Sequence, residues 1–422
     1  MKNNKTNALS LEDLPTKSYC VLPWISTAVG SNGEVVPCCR WFSQQDSWIK
    51  KDPPNIANGL TNARNSKFWQ TIRQQMIDGE YPRGCKRCWD EEEKDINNRA
   101  YHRVANQKKF SEGSPYGRII EITDKPAKLR HLETGISRLC NFACVMCDKT
   151  ESSIIHSIEL PGEKIPKGFH KDNENIDDDL SELQLLKLVG GEPMIEAKHD
   201  ELLEKIIELN NNPGNLEIQY HTNASVFPSD RVINCWKKLK KVEIVLSIDG
   251  TGKLATLQRP GNYVWQDIED TVSKYVQLIS KVNIVFSTNV VLTALNIGQI
   301  TDIIEWLYNK VEKHTPMNFA FLQPIDIQHR NTYIDFRNLS KETKERIKKE
   351  WADWENANLR YALRSGIFGH LGVLRDLLKV AKGFIDEKGI LNEPLTKELM
   401  LEKHPNARLW KHFNEDLKEL NI

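Results

Sequence analysis

Three cysteines fall within eight residues of this chain, at Cys140, Cys144 and Cys147, in the run Cys-Asn-Phe-Ala-Cys-Val-Met-Cys. Three thiols inside eight residues are read as belonging to a loop rather than to one regular element. The run must be a loop that curls until its sulfurs converge. Thiolates are soft ligands that select zinc, copper(I) or iron–sulfur clusters. The number three carries information: a closed structural site uses four protein ligands, whereas a site built for chemistry leaves a position open. A [4Fe–4S] cube held by three thiolates keeps one iron free. A zinc ion with a distant fourth ligand and a set of reduced core thiols are the alternatives at this point.

Composition narrows the choice. The chain has 422 residues, enough for two or three domains of roughly 100–200 residues each. Its 58 basic and 58 acidic side chains cancel, so no global field draws it to nucleic acid or to an anionic membrane. No apolar run approaches the ~18 residues of a membrane span. The start, Met1-Lys2-Asn3-Asn4-Lys5-Thr6, lacks the apolar segment of a signal peptide. The expected location is therefore cytoplasmic. In that reducing compartment the nine cysteines, eight of them clustered, read as metal ligands rather than disulfides.

Residues 1–18 are polar and read as a flexible terminus. Cys20-Val21-Leu22-Pro23-Trp24 reads as β-like, Gly30-Ser31-Asn32-Gly33 as a hairpin turn, and Val35-Val36-Pro37-Cys38-Cys39 as the return strand. Trp69 to Met76 reads as a helix that stops at Asp78-Gly79. Pro82-Arg83-Gly84-Cys85-Lys86-Arg87-Cys88-Trp89 is a knuckle that aims two thiols at one metal. After a charged helical stretch, Gly113-Ser114-Pro115 marks a linker.

From there strand and helix patterns alternate. Strands are expected near Leu129–Thr134, Gln184–Val189, Leu216–His221, Val242–Ile248, Val282–Leu292 and Met317–Leu322. The stripes Leu202, Leu203, Ile206, Ile207 and Ile303, Ile304, Leu307 mark helices between them. Such alternation implies a parallel sheet with right-handed crossovers. The acidic, Lys-dotted insert at 150–180 reads as a solvated loop, with a lid over the strand ends as the alternative. Cys235, in a helical pattern, reads as a core residue rather than a hydrogen donor. Beyond residue 335 the chain is helical and charged.

The C-x3-C-x2-C run after a strand, together with Gly190-Gly191-Glu192-Pro193 after the next strand, resembles the radical S-adenosylmethionine (SAM) superfamily. The resemblance implies an α/β partial (β/α)6 TIM-like barrel over 125–330. It also implies a [4Fe–4S] cluster on Cys140, Cys144 and Cys147 whose open iron binds SAM, with ligands at the C-terminal strand ends. In that family the end of the second strand, here Gly190 to Pro193, offers backbone groups to the amino group of SAM. Asn223, Ser247 and Asp249 match strand-end positions that contact the SAM ribose and methionine carboxylate. Arg259 matches an arginine that takes that carboxylate, for which a guanidinium fork is suited. Met146 takes a place beside the adenine.

A second resemblance covers the N-terminal cysteines. Cys20, Cys38, Cys85 and Cys88, with C-x-x-P-W and Gly79-Glu80-Tyr81-Pro82, resemble the framework of SPASM and twitch domains. This implies an auxiliary [4Fe–4S] module over 19–115, a small cysteine-rich α+β unit placed ahead of the barrel, where relatives carry it behind. Cys39 is an alternative to Cys38, and a four-thiolate zinc knuckle is an alternative to the cluster. A helical region, 335–422, completes the chain. The implied activity is reductive cleavage of SAM to a 5′-deoxyadenosyl radical that abstracts hydrogen from a peptide, protein or small-molecule substrate. The implied electron donor is a flavodoxin or ferredoxin. The alternatives are a zinc-stabilised, non-redox binding protein on a barrel scaffold and a methyl- or thio-transferring radical enzyme.

Overall fold

A computed structural model describes residues 14–30, 33–41, 54–93, 103, 106, 123–135, 137–165, 180–324, 334–365 and 374–389. The Gly113-Ser114-Pro115 linker, residues 166–179 of the 150–180 insert and the C-terminal segment from 390 lie outside the described residues, and the insert expected as a solvated loop begins instead with a helix, Ser153–Glu159, that buries Ile155 and His156. The chain divides into two compact units, the first comprising 1–136, 166–188 and 201–216, the second the remainder.

In the first unit, β1 (Ser26–Val29) pairs antiparallel with β2 (Val35–Val36) and parallel with β3 (His131–Gly135), in the register Ser26↔His131 to Val29↔Thr134. On the far side of β3 runs β4 (Leu185–Val189). The N-terminal segment thus extends the same sheet that the first expected barrel strands form. Two expectations need correction. Cys20 to Trp24 is not a strand: Leu22–Ile25 form a helical turn with Pro23 in it, where the missing N–H has no partner to lose. The return strand stops at Val36, because Pro37 cannot donate to a ladder.

The helix Lys67–Ile77 buries Phe68, Trp69, Ile72, Arg73 and Met76 along one face. It ends where Gly79 turns left-handed at φ 75°, with Glu80 N–H donating to the Gln75 carbonyl at 2.7 Å. Two buried arginines satisfy the carbonyls left over between this helix and the chain before β3. Arg73 donates to Pro23, Arg64 and Asp124 oxygens at 2.9, 2.6 and 2.7 Å, and Arg64 to Trp24 and Ala127 oxygens at 2.8 Å. Each carbonyl would otherwise be buried without a partner.

In the second unit β5 (Glu217–Thr222), β6 (Lys241–Ser247), β7 (Ile284–Leu292) and β8 (Met317–Pro324) run parallel, in that order. Along β5, Ile218, Tyr220 and Thr222 are buried while Glu217, Gln219 and His221 are half-buried. One face meets the helices: Tyr220 hydroxyl accepts from Trp236 Nε1 at 3.0 Å and lies 2.8 Å from His199 Nε2. The other face is polar. Glu243 accepts from Ser287 Oγ, Asn318 Nδ2 and Gln219 Nε2 at 2.6, 2.7 and 2.9 Å. The helix Leu374–Phe384 packs against β8 and against the helix Ile300–Leu307. All six expected strands are present as β3 to β8, and the fold is α/β of the partial (β/α)6 barrel type. Among the described residues no helix is long and apolar enough to cross a membrane.

Candidate iron–sulfur and SAM site

The cysteine loop is held from three directions. The helix Ser153–Glu159 caps it: Cys140 N–H donates to Ser153 Oγ at 3.1 Å, and Ser152 Oγ donates to the Phe142 carbonyl at 3.1 Å. The segment 258–261 lies along it, Ala143 N–H donating to the Pro260 carbonyl at 2.7 Å and Val145 N–H to the Gln258 carbonyl at 2.9 Å. Tyr263 stacks on Phe142 with ring centroids 4.3 Å apart. Phe142, Ala143 and Val145 are buried, so the loop has an apolar back.

The turn Gly190–Pro193 forms the third side. Gly191 N–H donates to the Glu151 carbonyl at 3.0 Å and Glu192 N–H to the Leu139 carbonyl at 2.8 Å. Gly190 and Gly191 are left-handed at φ 75° and 53°, and a Cβ on Gly191 would sit 2.3 Å from the Leu139 oxygen. Glycine is therefore obligatory at 191. The Glu192 carboxyl is buried and accepts from Asn223 N–H, Thr222 Oγ1 and Met194 N–H at 2.7, 2.8 and 3.1 Å. Burial raises its pKa to about 7 against the pull of those donors.

All three thiols are free. Burial, then the neighbouring Cys144 thiol, pushes Cys140 up to about 12. Burial, then Cys144 and Cys140, holds Cys147 well above the thiol range. Cys144 is raised by burial and pulled back by Arg259. The donor set is thus a mutually interacting group of soft ligands on a buried loop, which fits a cluster that binds thiolates and displaces their protons.

The other predicted residues occupy neighbouring positions. Asn223 Nδ2 donates to Asn141 Oδ1, and its own oxygen accepts from Ser225 N–H at 2.9 Å and Ser225 Oγ at 2.6 Å. Ser247, at the end of β6, is half-buried and in register with Asn289 of β7. Asn289 Oδ1 is buried with no hydrogen-bond partner among the described residues. Met146 is half-buried. Asp249 and Arg259 do not stand apart as two ligands. Arg259 Nε and Nη2 both reach Asp249 Oδ2, at 2.6 and 2.5 Å, and Nη1 lies 3.6 Å from Cys144 Sγ. The guanidinium fork expected at the SAM carboxylate is occupied by a carboxylate of the protein. Asn141, Ser153, Ser225, Asn289 and Tyr263 belong to this constellation and went unnoticed in the sequence, where only the closeness of Asn141 to Cys140 offers any sign.

In the first unit, Cys38 stands well above the thiol range through burial, then through Cys39, Cys85, Cys20 and Cys88. Cys20 is pushed up to about 12 by burial, with Cys88 adding to it. Cys39 is exposed and instead meets Glu133. Glu133 is paired with Lys187 at 3.1 Å. Of the vicinal pair, Cys38 is the thiol that interacts with the other three. The knuckle is tightly backed: a Cβ on Gly84 would fall 2.2 Å from the Trp41 ring. Arg103 lies 4.4 Å over Trp89, pairs with Glu92, and donates to the Lys17 and Tyr19 carbonyls at 2.9 Å. Among the described residues no three His, Cys, Asp or Glu side chains close on one point as the ligands of a single ion would. Each thiolate of a [4Fe–4S] cube binds its own iron.

Comparison with known proteins places two domains on the chain. Residues 135–307 match the radical SAM superfamily and residues 20–89 match the SPASM iron–sulfur cluster-binding domain. No curated protein matches. Among solved structures, SuiB of Streptococcus suis bound to S-adenosylmethionine is similar at 14% identity and TM-score 0.34, over 70% of this chain and 62% of that one. Native anSMEcpe with bound AdoMet is similar at 18% identity and TM-score 0.32, over 45% of this chain and 50% of that one. This chain therefore spans less than two thirds of either. The cofactors the two domain matches indicate are [4Fe–4S] clusters and SAM. Residues 135–307 are thus a radical SAM superfamily domain, with a SPASM domain ahead of it at residues 20–89.

Proposed function

We propose that this enzyme abstracts hydrogen from a C–H bond of a peptide, protein or small-molecule substrate. When bound, the loop cluster and SAM supply one-electron cleavage of the sulfonium to a 5′-deoxyadenosyl radical. Cys140, Cys144 and Cys147 hold the cluster, and Cys20, Cys38, Cys85 and Cys88 hold a second one. Residues 19–115 act as the auxiliary module, 125–330 as the barrel and 335–422 as a helical region. The electron donor is a flavodoxin or ferredoxin, and the enzyme works in the cytoplasm.

The observation that carries this reading is the stitching of the cysteine loop to the Gly190–Pro193 turn through Glu192 N–H and the Leu139 carbonyl. That bond puts the strand-end backbone beside the three thiols, where it can accept from the SAM amino group. Ser247 and the unpartnered Asn289 Oδ1 offer a hydroxyl and an acceptor to the ribose. Asn223 shapes the same wall through Asn141, and Met146 packs beside the adenine. Asp249 acts through Arg259. The buried back of the loop keeps water from the sulfurs.

The test is iron and sulfide quantitation on anaerobically prepared wild type beside a Cys140/Cys144/Cys147→Ala variant. Loss of one cube's worth of iron, with the rest retained and reductant-dependent SAM cleavage abolished, is the expected result. Colourless wild-type protein carrying zinc, or a variant with undiminished iron, overturns the reading.

A further inference from the structure

Arg259 is locked in place before any ligand arrives. Its partner Asp249 has a fully buried side chain. Asp249 Oδ1 accepts from Val291 N–H at 2.7 Å, and its carbonyl accepts from Asn296 Nδ2 at 2.9 Å. Asn296 is itself tied to the Val291 carbonyl at 2.8 Å. The carboxylate can therefore neither rotate nor withdraw. On the other side, the residues before and after Arg259 are bonded to the cysteine loop at Val145 and Ala143, which flank Cys144. Gly261 lets the chain come that close, since a Cβ there would lie 2.6 Å from the Phe142 ring and 2.9 Å from the Asn141 oxygen. Two edges of the guanidinium are thus spoken for, one by Asp249 and one by Cys144.

We infer that Arg259 is a positioning residue for the loop cluster: it donates from Nη1 to the Cys144 sulfur, with Asp249 as its fixed backing, and favours the reduced cluster. This rests on the reading that Cys140, Cys144 and Cys147 hold that cluster. The physical reason is charge. Reduction adds negative charge that is shared with the ligand sulfurs. A guanidinium N–H donor, only partly exposed, beside one sulfur then stabilises the reduced form more than the oxidised one. A guanidinium committed in this way is a tuning group, not a free hand for the SAM carboxylate.

The experiment is a redox titration of the full chain, with both clusters assembled anaerobically and without SAM, monitored by electron paramagnetic resonance. The loop-cluster signal is identified as the one missing from the Cys140/Cys144/Cys147→Ala variant. Absence of any such signal in wild type would sink the cluster assignment itself, whereas a signal that is present reports on Arg259 through its midpoint. For Arg259→Gln the expected ratio of reduced to oxidised loop cluster, at the wild-type midpoint, falls about tenfold, equivalent to about 59 mV for one electron. Arg259→Lys, which keeps the charge and loses the fork, is expected to fall between the two. SAM affinity, measured by equilibrium binding, is expected to change less than about threefold. An unchanged midpoint in both variants overturns the inference, as does an unchanged midpoint with a tenfold weaker SAM affinity. If Arg259→Gln fails to retain the cluster, the Arg259→Lys midpoint decides alone, and equality with wild type counts against the inference.

Discussion

Asn223 Nδ2 donates to Asn141 Oδ1 across 3.0 Å, bonding the end of β5 to the residue after the first thiol of the cysteine loop. Asn141 Nδ2 in turn donates to Ser225 Oγ at 2.8 Å, and Ser225 Oγ donates to Asn223 Oδ1, so three side chains close a ring. Ala224, between two of them, sits left-handed at φ 58°, an uncommon conformation that the ring helps to hold.

That ring should behave as one unit. Asn141→Ala and Asn223→Ala are each expected to cost about 1 kcal/mol, the usual worth of a buried hydrogen bond. The double variant should cost clearly less than the sum, because both changes break the same contact. Denaturant unfolding of the four proteins checks this, and strict additivity would count against the ring.

Gly191→Ala should be far worse than Gly162→Ala. Both positions are left-handed, at φ 53° and 86°, so each substitution carries about 1–2 kcal/mol of backbone strain. At 162 nothing lies within 4 Å of the added carbon, whereas at 191 the Leu139 and Ser137 carbonyl oxygens stand 2.3 and 2.9 Å away. The 191 variant must therefore shift the cysteine loop. Reduced loop-cluster iron and weaker SAM binding in Gly191→Ala, with neither in Gly162→Ala, are the expected readouts.

The vicinal cysteines should separate cleanly. Cys38→Ala is expected to lose the iron and sulfide of the auxiliary cluster, and Cys39→Ala to keep both, since Cys39 faces Glu133. Quantitation of iron per chain in the two variants decides it, and equal losses would contradict the assignment.

Glu192 should make stability depend on pH. Its carboxyl ionises near 4.5 when unfolded and near 7 when folded, because burial disfavours the charge. Between those values the unfolded chain holds fewer protons, so stability falls as pH rises. The contribution is complete below 4.5 and gone above 7, and amounts to about 3 kcal/mol. In Glu192→Gln this part of the slope is expected to vanish. Denaturant unfolding of both proteins at pH 5 and pH 8 measures it.

Most of the secondary structure was legible because it is local. The buried stripe of Lys67–Ile77 and the alternation along β5 are periodic in the chain itself. Two departures came from prolines, Pro23 sitting comfortably in a helical turn and Pro37 ending a strand that hydrophobic pattern alone would have continued; a third is the helix Ser153–Glu159 in the stretch expected as a solvated loop. The membership of β1 in the sheet beside β3 was not legible, since a parallel pairing joins residues about a hundred positions apart and leaves no spacing to read.

By itself the sequence determined the ligand chemistry: thiols at C-x3-C-x2-C, a glycine turn after the next strand, and a second cysteine set before the barrel. These are statements about which atoms are available, and residue identity settles them. Only the tertiary structure decided which groups interact: Cys38 with Cys20, Cys85 and Cys88, Cys39 with Glu133, Arg259 with Asp249 and Cys144, Asn223 with Asn141. Such pairings depend on strand register and on the direction each side chain leaves its backbone, and both are set by packing of the whole unit.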